Sequence, residues 1–270
     1  MIIVGELINA TRKAVKAAIE DRDHEFIQKL AKEQADAGAD YIDVNAGVFV
    51  GKETEYLNWV IDNVTEVTDL PVCIDSPSSD VIEGALIHFQ GKSDKTPMIN
   101  SISLETEKLD NILPVVAGTD LKVIALCMND KGMPHTADER LETADKLINK
   151  LVRNNVKIEN IYVDPLLQAL ATDSSCGAVF LTSIEKIMHG YPGVHTICGL
   201  SNISFGLPER GFLNQTFMAM AIAKGLDGAI ANPLNEKMMA SIITAETLAG
   251  RDEYCMGYLG AYRAGKIDFK

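Results

Sequence analysis

Along this chain, one apolar run after another ends in a carboxylate or a carboxamide. Glu6 and Asn9 follow MIIV (1–4), and Asp43 and Asn45 lie in YIDVN. Asp75 closes VCID, Asn100 closes PMIN, and Asp164 closes NIYVD. Asn129, with Asp130, follows LKVIALCM, and Asn202 stands in GLSNISFG just after VHTIC. An ionised Asp only accepts, so it takes two parallel hydrogen bonds from an amidine-like N–H/NH₂ edge, whereas Asn donates and accepts and pairs with a lactam. A ring of such groups suits a neutral, flat heterocycle rich in N–H donors and ring nitrogens. Pterins, purines and pyrimidines all present those edges.

Other chemistries lack their residues. There is no HExxH and no clustered Cys/His set for zinc, no GxSxG elbow and no Gly-rich phosphate loop. No strand-end lysine suggests a Schiff base, and the nearest histidine, His135, lies on a loop. Asp/Asn rings bind magnesium, but nothing else here points to a metal, and none is expected.

Seven such ends need a scaffold that gathers them. The runs at 1–4, 41–44, 72–75, 97–100, 121–128, 160–164, 194–198 and 227–231 are rich in β-branched residues and hardly alternate, as strands buried on both faces do. Amphipathic stretches separate them. In TADERLETADKLINKLV, Leu141, Ala144, Leu147, Ile148 and Leu151 form one stripe, and Thr136 with Glu139 reads as a capping box. Eight strand–helix units in about 250 residues match a TIM barrel, whose site lies at the C-terminal ends of its strands. A doubly wound sheet is the alternative, but its GxGxxG fingerprint is absent. Residues 11–23 read as an extra helix after the first strand, and the tail from 251 onward as packing on the barrel exterior. With no linker, repeat or low-complexity segment, 1–270 reads as a single domain.

The 270 residues are 47% hydrophobic and carry a net charge of −13, which disfavours nucleic acid and anionic membranes as partners. No run approaches the roughly 20 apolar residues of a membrane span, and MIIVGELIN lacks the basic start of a signal peptide. A cytoplasmic location is expected. The five cysteines (73, 127, 176, 198, 255) form no CxxC and read as reduced thiols, with Cys73, Cys127 and Cys198 as small core residues. Met218 and Met220 read as helix packing.

The stretches GELIN (5–9), IDVNAG (42–47), CIDS (73–76), MINSIS (98–103), YVDPL (162–166), GLSNISFGLP (199–208) and LNQTFMAMAIAKGLDGAIAN (213–232) run in order along nearly the whole chain. Together they resemble the pterin-binding methyltransferases. The nearest resemblance is to the methyltetrahydrofolate:corrinoid protein methyltransferases, kin to the folate domain of cobalamin-dependent methionine synthase. The resemblance implies a TIM-barrel homodimer that holds a tetrahydropterin in the barrel mouth. It assigns Asp75, Asn100 and Asp164 to pterin binding and Asn202 to the pterin nitrogen N5. It also counts Arg210, matched to an arginine of the acetogen enzymes, among the pterin-binding residues, with Gly199 and Ser201. Gly199 and Ser201 are small residues that let the backbone approach the pterin, and Glu6, Asn9, Asp43, Asn45 and Asn129 are expected to support the site. Phe205 departs from the pattern, since those enzymes carry a polar residue there. The implied activity is methyl transfer between N5 of (methyl)tetrahydrofolate and the cobalt of a corrinoid (cobalamin-type) on a partner protein, in either direction.

Two other readings stay open. A dihydropteroate synthase would share the fold, but it needs basic groups where this chain has GLSNIS, and a C-terminal Arg-x-His is missing. A pterin-binding module without catalysis would share the residues. Single residues have plain readings too: Asp75 as a helix cap, although Ser78, Ser79 and Asp80 are better placed; Asp164–Pro165 as a helix start; Asn202 as a turn residue.

Overall fold

The computed structural model describes residues 1–267. Eight parallel strands form one sheet in the order β7-β6-β5-β4-β3-β2-β1-β8. They are β1 (Ile2–Asn9), β2 (Tyr41–Asn45), β3 (Val72–Asp75), β4 (Met98–Leu104), β5 (Lys122–Asn129), β6 (Ile161–Asp164), β7 (His195–Thr196) and β8 (Gly228–Ala231). Ten helices cover the outside. The extra one expected after β1 is α1 (Lys13–Glu20), followed by α2 (His24–Asp36), α3 (Glu53–Val67), α4 (Ser79–Gln90), α5 (Thr106–Val116) and α6 (Ala137–Arg153). Then come α7 (Cys176–Gly190), α8 (Arg210–Ala223), α9 (Glu236–Leu248) and α10 (Met256–Arg263). The fold is the expected TIM barrel. Helix α10 packs beside α9 on the exterior, as read for the tail.

The seam between β7 and β8 is the thinnest part of the barrel. VHTIC reads as a five-residue strand, but only His195–Thr196 is ladder. Ile230 N–H to Cys198 O, at 2.9 Å, crosses the seam, while Ile197 N–H to Val163 O, also 2.9 Å, ties this segment back to β6. A Cβ on Gly228 would sit 3.1 Å from both Ile197 and the Thr196 carbonyl, so glycine lets the last strand come in.

Strand side chains alternate between the helix layer and the barrel interior. Ile42 and Val44 join the outer core, whereas Val4, Tyr41, Cys73, Met98, Ile124, Tyr162 and Ile197 pack inside. At the N-terminal end, the Lys122 ammonium lies 5.2 Å over the Tyr41 ring, and Tyr162 stacks on His195 at 4.6 Å. His195 Nδ1 in turn bonds Asp227 Oδ2 at 2.6 Å. The interior is therefore closed below by this polar cluster.

Three local readings meet the structure differently. The capping box of α6 is present, with Glu139 N–H bonding Thr136 Oγ1 at 3.2 Å. The buried stripe of that helix also includes Arg140, and Leu141 packs against the core from a partly buried position. Met218 is fully buried, but Met220 is largely exposed, because α8 turns that face away from the barrel. Cys73, Cys127 and Cys198 are buried, as expected of core thiols.

Strand β1 is irregular between Gly5 and Ile8. There the Leu7 N–H leaves the ladder and bonds Gln34 Oε1 of α2 at 3.0 Å. The irregularity re-aims the strand end that carries Glu6. A Cβ on Gly5 would meet Gln34 Oε1 at 2.6 Å. Gly5→Ala is expected to expel Gln34 and strand the buried Leu7 N–H, lowering unfolding free energy by about 1–3 kcal/mol. Urea denaturation measures this, and a wild-type midpoint in the variant would refute the packing.

Candidate active site

Parallel register places the polar strand ends side by side. Asn9 pairs with Asn45, Asn45 with Asp75, and Asp75 with Asn100, one row across β1–β4. Asn45 is the brace of that row. Its Oδ1 accepts the Gly47 N–H at 3.0 Å, and its Nδ2 donates to Asp75 Oδ2 at 2.9 Å. One Asp75 oxygen is thus held while the carboxylate faces the mouth. Burial pushes the Asp75 carboxyl upward, opposed by the Asn45 hydrogen bond and the Lys108 charge.

Two positions below Asn45 on the same face, Asp43 is almost wholly buried, and its Oδ1 has no partner. Burial first, and the neighbouring Asp75 second, push its carboxyl well above the ordinary range. The Cys73 thiol and the Asn100 amide are its hydrogen-bonding neighbours. Two carboxyls so close in a dry site do not both ionise readily. Asp43, beneath Asp75, is the better buried of the two.

Across the mouth, Asp164 is 8% exposed, and its Oδ1 accepts the Leu166 N–H at 2.7 Å. Burial raises its carboxyl to about 7, against the opposing effects of that bond and of Arg140. No helix begins at Pro165, and α7 starts only at Cys176. The turn is instead held by Arg140, whose Nη1 donates to Leu166 O at 2.9 Å and whose Nε donates to Pro134 O at 3.2 Å. Leu166 sits at φ 66°, a left-handed conformation that costs a non-glycine residue about 1 kcal/mol and that this anchoring maintains.

Asn202 lies on a 3₁₀ turn, Leu200–Ser204, that follows β7. Its side chain is exposed and makes no hydrogen bond within the described residues. Phe205, beside it, is 68% exposed at the rim. A Cβ on Gly199 would touch only Asn202 Nδ2, at 3.6 Å, so the protein itself does not demand glycine there.

Other candidates are spent locally. Asn9 Oδ1 takes the Thr11 N–H and hydroxyl at 3.0 and 2.7 Å, and Asn129 Oδ1 takes the Lys131 N–H at 2.9 Å. These two shape loops, because each strand end turns tightly and its amide is the nearest acceptor. Glu6 pairs with Arg12 at 2.9 Å, and burial raises its carboxyl. It lines a cavity of about 350 Å³ with Arg12, Ser201, Arg210, Asn214 and Asn232. Arg210, in the wall of that cavity, is held by the turn after β7. It bonds Ser204 Oγ at 2.9 Å and Ser201 O at 2.7 Å.

Two residues of the site escape the strand-end inventory because they come from helices. One is Arg140, on the core face of α6, where an arginine among buried positions is the signal. The other is Lys108 of α5, whose Nζ reaches Ser101 Oγ at 3.1 Å and whose pKa is lowered by burial. Lys108 also lines a polar cleft of about 690 Å³ with Ser78, Asp80, Glu105 and Asp130. The mouth therefore opens on both flanks.

Comparison with known proteins bears on what such a mouth holds. The family model described as pterin binding enzyme matches residues 5–232. The methylcorrinoid:tetrahydrofolate methyltransferase of Eubacterium limosum is 37% identical over 269 residues, covering 99% of this chain and 98% of that protein. Methionine synthase of Mycobacterium tuberculosis is 28% identical over 246 residues, which are 86% of this chain and only 20% of that longer protein. Among solved structures, dihydropteroate synthases from Yersinia pestis and Thermus thermophilus superpose with TM-scores of 0.70 and 0.68, at 15% and 16% identity. Each superposition covers 92% of this chain and 94% of the other. That likeness speaks for the fold alone.

The raised Asp164 carboxyl carries a stability consequence. Folding raises its pKa from about 3.9 to about 7, so the folded state binds this proton more tightly. The contribution is full below about pH 4 and is lost as pH rises through about 7. Asp164→Asn removes the titration. Urea unfolding at pH 5 and pH 8 should show a fall for the unliganded wild type that shrinks in the variant by roughly 2–4 kcal/mol. An identical fall in both proteins would contradict a buried, ionisable Asp164.

Proposed function

The chain belongs to the pterin-binding enzyme family, and on that premise we propose that it is a methyltransferase moving a methyl group between N5 of tetrahydrofolate and the cobalt of a corrinoid on another protein. The observation that carries the proposal is the 37% identity to a methylcorrinoid:tetrahydrofolate methyltransferase along practically the whole of both chains. The mouth suits the substrate. Asp75 and Asp164 offer acceptors for the N–H/NH₂ edge of a pterin, and Asn100 both donates and accepts. Dihydropteroate synthase chemistry is less well served, since the turn after β7 is the neutral GLSNIS.

The corrinoid is the second substrate, and the open flanks leave room for the domain that carries it. In the direction that the relative's name gives, N5 uses its lone pair to take the methyl group while the bonding pair stays on cobalt. N5 then carries positive charge and releases its proton. Asn202 cannot take that proton, because a carboxamide is not a base near neutral pH. Its carbonyl oxygen can accept the N5–H bond as charge develops. In reverse, its N–H can donate to N5 as the methyl leaves. Either way the aid strengthens toward the transition state.

A homodimer is part of this reading. Phe212, Met220, Leu248, Tyr258, Leu259 and Tyr262 are exposed on α8–α10. A groove of about 560 Å³ between those helices is lined by Thr216, Ala219, Ser241, Thr244, Leu248 and Tyr258. Apolar area of that kind is where a second copy would bury surface. All five cysteines are free, which suits a reducing compartment such as the cytoplasm.

Asn202→Ala should lower single-turnover methyl transfer between methyltetrahydrofolate and free cob(I)alamin by about 10²-fold. Folate affinity, titrated separately, should change far less. A wild-type rate at saturating folate would remove Asn202 from the chemistry, and absence of transfer by the wild type would refute the function. Light scattering should give a dimer mass for the wild type and a monomer mass for Met220→Glu. A monomeric wild type would refute the interface.

A further inference from the structure

The reacting amide sits on a lightly held turn. Asn202 N–H reaches Gly199 O at 3.3 Å, Phe205 N–H reaches Asn202 O at 3.1 Å, and Leu170 N–H reaches Ile203 O at 3.0 Å. No side chain among the described residues bonds the Asn202 amide, so the direction in which that amide points depends on its backbone. The segment that follows, Phe205–Glu209, contains two left-handed residues, Gly206 at φ 80° and Glu209 at φ 50°. The first is natural for glycine. The second costs a non-glycine residue about 1 kcal/mol and brings the chain round so that α8 opens with Arg210 beneath the turn.

Arg210 grips both sides of Asn202. Its Nε donates to Ser204 Oγ at 2.9 Å, and its Nη2 donates to Ser201 O at 2.7 Å. Ser204 is fully buried, and its hydroxyl in turn donates to Ser201 O at 3.3 Å. The planar guanidinium fork fits two acceptors at fixed spacing, which a lysine ammonium does not reproduce.

We propose that Arg210 is a positioning residue for methyl transfer: it locks the 201–204 turn so that Asn202 meets N5, and it is not itself a pterin contact. The proposal rests on the transfer reaction inferred above. A displacement of about 1 Å at a reacting group costs on the order of 10²-fold in rate, so a loose turn would reduce transfer while leaving the Asp75 and Asp164 contacts intact.

The test compares Arg210→Ala, Arg210→Lys and Ser204→Ala with the wild type in three measurements. These are folate affinity, single-turnover transfer with free cob(I)alamin, and hydrogen–deuterium exchange of amides 199–207. For Arg210→Ala the expected outcome is folate affinity within about threefold of wild type, transfer slowed by roughly 10- to 100-fold, and faster exchange across the turn. Millimolar guanidinium should restore part of that rate, and Arg210→Lys should recover only a fraction. Ser204→Ala should cause a smaller loss that adds little to Arg210→Ala, because the two act as one unit. A variant that loses folate affinity yet keeps its rate at saturation would make Arg210 a ligand contact. Unchanged exchange at 199–207 would overturn the clamp. If the wild type performs no transfer, the functional reading fails, and the exchange measurement still decides the clamp.

Discussion

The structure depends on carboxylates taken out of water with too little positive charge to balance them. Asp43, Asp75 and Asp164 all have raised pKa values, and burial is the leading cause for each. Lys108 and Arg140 offset part of this from the side, but neither is within hydrogen-bonding distance of these carboxylates in the described residues. Burial disfavours the charged forms of these groups, and the neighbouring cations offset that only in part.

Everything around those groups serves to hold them despite the cost. Between its polar floor and the strand ends the barrel interior is lined chiefly by apolar residues such as Val4, Met98 and Ile124, with Asp43 buried among them. The supports come from within the row and from the helices around it. Asn45 fixes Asp75, Arg140 fixes the turn after Asp164, and Arg210 fixes the turn under Asn202. In the two arginine cases the guanidinium donates to backbone carbonyls of the very loop that carries the functional side chain. A loop built this way keeps its functional amide or carboxylate free for the ligand.

The same frame explains why fold likeness and chemistry separate. Dihydropteroate synthases share the barrel at 15–17% identity, a level at which only the backbone plan is common. In this chain the turn after β7, GLSNIS, carries no charge.

The sequence by itself determined the barrel and the donor–acceptor character of its mouth. Eight buried β-branched runs and their intervening stripes leave few alternatives, and Asp75, Asn100, Asp164 and Asn202 are legible because each ends a run. Local signals are reliable where the partner is close in sequence, as in the Thr136–Glu139 box. Long-range contacts decided the rest. Register aligned Asn45 with Asp75 and Asp75 with Asn100, whereas Asn9 and Asn129 bond backbone only two residues on, in their own turns. Arg140 and Lys108 reach the site from helices whose periodicity says only which face is inward. Arg210 is matched in the sequence to an arginine of related enzymes, and only the folded chain shows its guanidinium on Ser201 O and Ser204 Oγ. The physical reason is common to all of these: a side chain's role is set by the acceptor within about 3 Å, and only the closed barrel brings that acceptor there.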